Sequence, residues 1–176
     1  MELKTAKYSD YERIATLHAN NWQRYLEGTE FELKDSQDVL DDRIAIWQTR
    51  LINPPFNQHV LLLEEGGLLC GFICAFGNHD VEKGTYIDSL HIDPHYQGKG
   101  LSITLLRALS EWMRSYYPDS GAYLEIFETN DNAIDFYKHL GAQEAGSRLW
   151  HAPWNQDVNE VIYHWSSLND LEADIK

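Results

Sequence analysis

The segment Ser89-Leu90-His91-Ile92-Asp93-Pro94-His95-Tyr96-Gln97-Gly98-Lys99-Gly100-Leu101-Ser102 joins a strand-like run to a glycine-rich turn and the start of an amphipathic run. Successive backbone N–H groups in such a turn point into one concavity, and the helix that follows adds its positive end. Glycine suits the turn because a Cβ would restrict its dihedrals and hold an anion at a distance. The chemistry this predicts is a diphosphate cradle. Local charge agrees: Pro94 to Arg114 carries Lys99, Arg107 and Arg114 against Glu111, a balance of +2, while the rest of the chain sums to −16. Two common phosphate motifs are excluded. There is no Gly-x-x-x-x-Gly-Lys-Ser/Thr, and no Gly-x-Gly-x-x-Gly follows the first strand.

The elements that must position this turn follow from periodicity. Leu3 to Lys7 reads as a strand, and Ser9-Asp10-Tyr11-Glu12 has the spacing of a capping box opening a first helix that Gly28 ends. A second helix is predicted over Asp38 to Ile52, stopped by Pro54-Pro55. His59–Glu64 and Leu68–Phe76 form a hairpin about Gly66-Gly67, and Gly77 to Gly84 reads as a polar loop. Then come a strand over Thr85–Ile92, a helix over Gly100–Tyr117, a strand over Ala122–Phe127, a short helix over Ala133–Leu140 and two last strands, Gln143–Trp150 and Asp157–Trp165. The order βααβββαβαββ is that of one mixed α/β domain over residues 1–168, about seven strands flanked by four helices, with 169–176 as a polar tail.

The 176 residues suit one core. With 28 acidic against 14 basic residues the net charge is −14, the wrong sign for nucleic acid. No apolar run approaches the roughly 20 residues a membrane span needs, and the first residues lack a signal-peptide core, so a cytoplasmic protein is expected. Cys70 and Cys74 share one strand and lie too far apart along it to pair, so they read as reduced core residues.

Gln97-Gly98-Lys99-Gly100-Leu101-Ser102 resembles the acetyl-coenzyme A motif Arg/Gln-x-x-Gly-x-Gly/Ala of the GCN5-related N-acetyltransferases, with Ser102 in place of the final Gly or Ala. After 27 intervening residues, Asn130-Asp131-Asn132-Ala133-Ile134-Asp135-Phe136-Tyr137 resembles that family's Asn-x-x-Ala-x-x-Phe-Tyr motif, and Gly141 stands where its helix ends. The element order agrees along nearly the whole chain. The resemblance implies an acyl-CoA-dependent N-acyltransferase with acetyl-CoA as co-substrate and no metal. It implies that strands 85–92 and 122–127 are parallel and splay apart. The pantetheine arm would lie in the split, bonded to backbone around Leu90, His91 and Ile92, with Asn130 on the other side. Tyr137 matches the tyrosine that protonates the departing thiolate, and a homodimer is common among such proteins.

Attack on a thioester requires a neutral amine, whereas an alkyl amine is mostly protonated at neutral pH. Strand alternation places Tyr86, Asp88 and Leu90 on one face and Ile87, Ser89 and His91 on the other. By resemblance the base comes from the positions of Tyr86 and Asp88. Asp88 can take the proton or bind a cationic substrate, and Glu125 on the neighbouring strand is a second carboxylate. His91-x-Asp93-x-His95 has the composition of a metal site, but its histidines fall on a strand and a loop, and the transfer needs no metal. The resemblance puts the acceptor mouth between the first two helices and the last strands. There Trp22, Tyr25, Phe31, Trp150, Trp154 and Trp165, with Glu27, Glu30 and Glu32, suit an ammonium group. The expected reaction is acetyl transfer to a primary amine of a small molecule or peptide; the alternative is a noncatalytic acyl-CoA sensor or interaction module on the same fold.

Overall fold

The structure is a computed structural model that describes residues 1–33 and 35–176. Seven strands form one mixed sheet: β1 (Glu2–Thr5), β2 (Gln58–Glu65), β3 (Leu68–Asp80), β4 (Gly84–Ile92), β5 (Ala122–Phe127), β6 (Gln143–Ala152) and β7 (Gln156–Trp165). Their spatial order is β1-β2-β3-β4-β5-β7-β6. Every neighbouring pair is antiparallel except β4 and β5. Helices α1 (Tyr11–Leu26) and α2 (Ser36–Ile52) cover one face. The other carries α3 (Leu101–Tyr116), α4 (Asp131–His139) and α5 (Leu168–Ala173).

Each helix sits where its apolar stripe finds a sheet face. In α3, Leu101, Leu105, Leu109 and Met113 recur every fourth residue and bury against Ile73, Ala75, Ile87 and Leu124. At about 1.5–3 kcal/mol for each fully buried side chain, this stripe is what holds α3 and the turn before it against the sheet. On the opposite face Ile14, Leu17, Trp47 and Leu51 meet Val60, Leu62, Phe72 and Cys74. A third cluster, Leu26, Phe127, Ala152 and Val158, closes one end of the sheet beneath Trp22 and Trp150. Cys70 and Cys74 are both free and buried. Among the described residues no helix is long and apolar enough to cross a membrane.

Several local expectations are corrected. Ser9 and Glu12 form no capping box; a 3-10 turn, Tyr8–Asp10, leads into α1, and the Asp10 carboxylate accepts from Lys7 N at 2.7 Å. The loop expected over residues 77–84 is largely strand, because β3 runs on to Asp80 and pairs with Gly84. Residues 169–176 are no free polar tail: Ser167 caps α5, Leu168, Leu171 and Ile175 bury in the main core, and Arg107 Nε donates to Ile175 O at 3.0 Å.

The β4 alternation also differs. Cys74 pairs with Ser89 but Ala75 pairs with Ile87, so Asp88 is an extra residue, a β-bulge. Beyond it the faces exchange. Leu90 and Ile92 join Ile87 in the α3 cluster, while His91 packs on Phe72 and His18, on the side of Tyr86 and Asp88.

The parallel pair β4/β5 is zipped only at its start. Thr85 pairs with Ala122 and Tyr86 with Tyr123, and there the ladder ends. At the closed end the backbones nearly touch: a Cβ on Gly84 would lie 2.4 Å from Gly121 O, and one on Gly121 2.1 Å from Trp165 O. Beyond Tyr86 the β5-facing edge of β4 has no strand partner, so its amides are open to a ligand.

Candidate active site

Two cavities meet in this split. Tyr25, Leu90, Asn130, Ala133 and Tyr137 line both. One cavity runs out between the starts of α3 and α4, past Ile92, Gln97, Gly98, Gly100, Leu101 and Ser102. Asp93 shapes the turn before it by accepting from His95 N at 2.8 Å, and Pro94–Tyr96 make a single 3-10 turn. Gly98 and Gly100 hold φ of 76° and 75°, the left-handed region, and a Cβ at either would meet no protein atom within 4 Å. Glycine is therefore set by conformation there, and the space above stays open to an anion. The Lys99 ammonium lies over the Tyr96 ring, 4.9 Å from its centroid. The Leu101 side chain is core; only its place at the first turn of α3 concerns a ligand.

Asn130 caps α4, its Oδ1 accepting from Ala133 N at 3.3 Å, which leaves the Nδ2 donor over. Tyr137, buried on α4, packs edge-on against Phe136 and Trp165. Burial pushes its phenol pKa up, so it holds its proton at neutral pH and has an O–H to donate.

The second cavity, about 260 Å³, opens on the α1/α2 side of the sheet. Three carboxylates line it, Asp88, Glu125 and Glu160, with three guanidinium groups, Arg43, Arg50 and Arg148. Asp88 accepts from Arg50 Nη1 and Nη2 at 2.8 and 2.9 Å and from Ser89 Oγ at 2.9 Å. Burial would raise its pKa, yet the Arg50 pair overrides it and holds the carboxyl below its ordinary value. The Glu125 carboxylate accepts from Arg148 Nη1 at 2.6 Å and from the Tyr86 hydroxyl at 3.3 Å. Glu160, on β7 opposite Phe127, has Arg148 Nε at 3.5 Å, beyond good hydrogen-bond length. Burial first, then the Glu125 charge, pushes the Glu160 pKa up to about 7.

The roof is aromatic. Trp22 meets Trp150 and Trp154 edge-on at 5.2 and 5.8 Å, and the Arg43 guanidinium lies 4.3 Å from the Trp22 centroid. Phe31 and Tyr25 pack with them. Trp165 does not belong to this wall: it is buried under α4, where its Nε1 donates to Leu140 O at 2.8 Å. His18 and His91 close the inner end, ring centroids 4.5 Å apart. Trp47 Nε1 donates to His18 Nδ1 at 3.1 Å, and Asn21 Nδ2 lies 3.2 Å from both His91 Nδ1 and Ile92 O. Burial holds His18 well below its ordinary pKa and His91 down to about 3, so both rings are neutral. His95 lies apart from His91, exposed on the turn. Among the described residues no three His, Cys, Asp or Glu side chains gather as a metal site.

The sequence reading did not find Glu160, His18, Arg43, Arg50 or Arg148. For Glu160 a weak signal existed: Val158, Glu160 and Ile162 alternate, so a carboxylate falls on the face of β7 that also carries the buried Val158.

Residues 14–142 match the model of the acetyltransferase (GNAT) family. The chain belongs to that family. A Bacillus subtilis subsp. natto protein named "Probable spermine N(1)-acetyltransferase" is 30% identical over 138 residues, which is 76% of this chain and 81% of that protein. A GCN5-related N-acetyltransferase from Rhodopseudomonas palustris superposes with a TM-score of 0.74 at 17% identity, covering 94% of each chain. The yncA structure from Salmonella typhimurium, which holds its cofactor acetyl-CoA, gives a TM-score of 0.64 at 19% identity over 94% of this chain and 93% of its own. This protein is an acyl-CoA-dependent N-acetyltransferase, with the family's open seven-stranded mixed sheet. The two cavities of this acetyltransferase thus enter from opposite sides of one seam, and Tyr137 borders both.

Proposed function

We propose that this acetyltransferase moves the acetyl group of acetyl-CoA to a primary amine of a small molecule or peptide by direct attack of the nitrogen on the thioester. The observation that carries the reading is the ladder that stops at Tyr86 and Tyr123, with one cavity on each side of the opening. The amides from Gln97 to Ser102 take the diphosphate. The free edge of β4 from Leu90 to Ile92 pairs with the pantetheine amides as an added strand would. Asn130 Nδ2 faces the arm from the α4 side. A β4 backbone N–H donates to the thioester oxygen as it gains charge. The Tyr137 hydroxyl protonates the thiolate as it leaves. Asp88, already ion-paired, positions Arg50 and the bulge and is not the proton acceptor.

Polyamines come first among acceptors, on the strength of the relative named for spermine. The cavity itself supports a cationic head group at Glu125 and Glu160 beneath the Trp22 and Trp150 rings, with Tyr86 alongside. Its three arginines match the three carboxylates in number, so the cavity has no excess negative charge to draw in several ammonium groups.

The test is a panel of spermine, spermidine, a monoamine, an amino acid and a lysine peptide, each with acetyl-CoA, following release of free thiol. Turnover with amines and none with the matching alcohols is expected. Coenzyme A that binds without turnover of any amine would refute the reading.

A further inference from the structure

We propose that Glu160 is the general base, accepting the proton that the acceptor ammonium must lose before it attacks. The inference rests on the N-acetyl transfer reading above and adds a catalytic residue to it.

Three carboxylates line the acceptor cavity, and two are committed. Asp88 takes three hydrogen bonds, from both Arg50 Nη atoms and Ser89 Oγ. Glu125 takes two, from Arg148 and Tyr86. A carboxylate so bonded is a weak base, because donors stabilise its charged form. Glu160 accepts none of these. Its register places it beside Phe127, the last residue of β5, where the strands stand apart and the chain turns towards Asn130. An amine approaching the thioester from the α1/α2 side passes this carboxylate. The charged and titratable groups around it are Glu125 from β5, Arg148 from β6, and Asp88 and Tyr86 from β4. Burial and the two negative neighbours outweigh Arg148 and bring Glu160 to about 7, near where a base must work. His18 and His91 offer no substitute, since each Nδ1 faces a nitrogen donor and both rings are held far below neutral pKa.

Protons balance as follows. Glu160 takes one from the ammonium and passes it to solvent. The nitrogen lone pair then forms the C–N bond and the C–S bond breaks. Tyr137 gives its proton to the sulfur, and the second proton shed by nitrogen restores Tyr137. The products are the amide, free coenzyme A and one proton.

The experiment is the pH dependence of kcat for the wild type, Glu160→Gln and Glu160→Asp, using the best amine of the panel. Wild-type kcat should fall tenfold per pH unit below about 7. Glu160→Gln should lower kcat about 100-fold or more at pH 8 and lose that limb, with coenzyme A still raising its Tm. Glu160→Asp should keep the limb, displaced, at reduced kcat. Because a neutral side chain replaces a destabilised buried charge, the Gln variant should also melt higher than the wild type at pH 8, with the gap closing towards pH 5. An acidic limb retained in Glu160→Gln, or kcat unchanged in either variant, overturns the assignment while leaving the transfer reading intact. Absence of wild-type turnover with every amine overturns both.

Discussion

The Arg50–Asp88 pair ties α2 to the bulge in β4, and breaking it should be costly in a pH-dependent way. Side-chain exposures of 21% and 15% make it a largely buried, bidentate pair. Removing one partner from such a pair costs about 3–5 kcal/mol, because the other charge is left desolvated. Some solvent reaches both groups, so the lower end, about 3 kcal/mol, applies to Arg50→Met. In a protein of this size that corresponds to a Tm loss of about 6–12 °C. The sign with pH follows from Asp88. In the wild type its folded pKa lies below the unfolded value, so its contribution is present above the unfolded pKa and is lost only as pH falls through the lower, folded one. In Arg50→Met the desolvated carboxyl moves above its unfolded value, so the penalty appears as pH rises through this range. The stability gap between the two proteins should therefore be wider at pH 8 than at pH 4.5. Urea unfolding of Arg50→Met, Asp88→Asn and the double variant closes a cycle, in which a coupling of about 2 kcal/mol is expected. Asp88→Asn should cost less than Arg50→Met, since the guanidinium keeps the Trp47 face at 5.0 Å. Single variants within 0.5 kcal/mol of wild type, flat with pH, would refute the view that Asp88 serves as counter-charge.

Three further outcomes are expected. Tyr137→Phe should lower kcat by about 100-fold while leaving the coenzyme A thermal shift unchanged, and retained turnover would remove the tyrosine from the mechanism. Gly100→Ala, forced to φ near 75°, should lose about 1–2 kcal/mol in urea and weaken coenzyme A binding by calorimetry. Gly121→Ala presses a methyl into the Trp165 carbonyl of the neighbouring strand and should cost about 1–3 kcal/mol, read as a fall in the urea midpoint.

Much of the fold, including the glycine turn proposed to take the coenzyme, was legible because local chemistry dictates it. Two glycines before an apolar period of four specify the turn and α3; Asn130, expected only beside the ligand, also caps α4, which starts at Asp131 rather than Ala133. The cavity on the α1/α2 side was not legible, since it depends on which faces meet. One inserted residue at Asp88 reverses every later side chain of β4, and nothing in Ile87-Asp88-Ser89-Leu90 marks it. Trp165 was misplaced for the same reason: Tyr163 and Trp165 point to the α3 side, while Glu160 points to the cavity. Arg50 neutralises a carboxylate 38 positions away, so Asp88 looks free until α2 is docked. The terminal helix was readable, with Ser167 as cap and Leu168, Leu171 and Ile175 on one stripe, but its charged residues gave it the look of a tail.

A coenzyme that fills the unfinished ladder between β4 and β5, as proposed above, would be a structural member as well as a reactant. A ligand at one hundred times its dissociation constant adds about 2.7 kcal/mol to the folded form. How long the protein survives heat or proteolysis should thus report how much acyl donor surrounds it, and material stripped of coenzyme during purification will look frailer than the working enzyme.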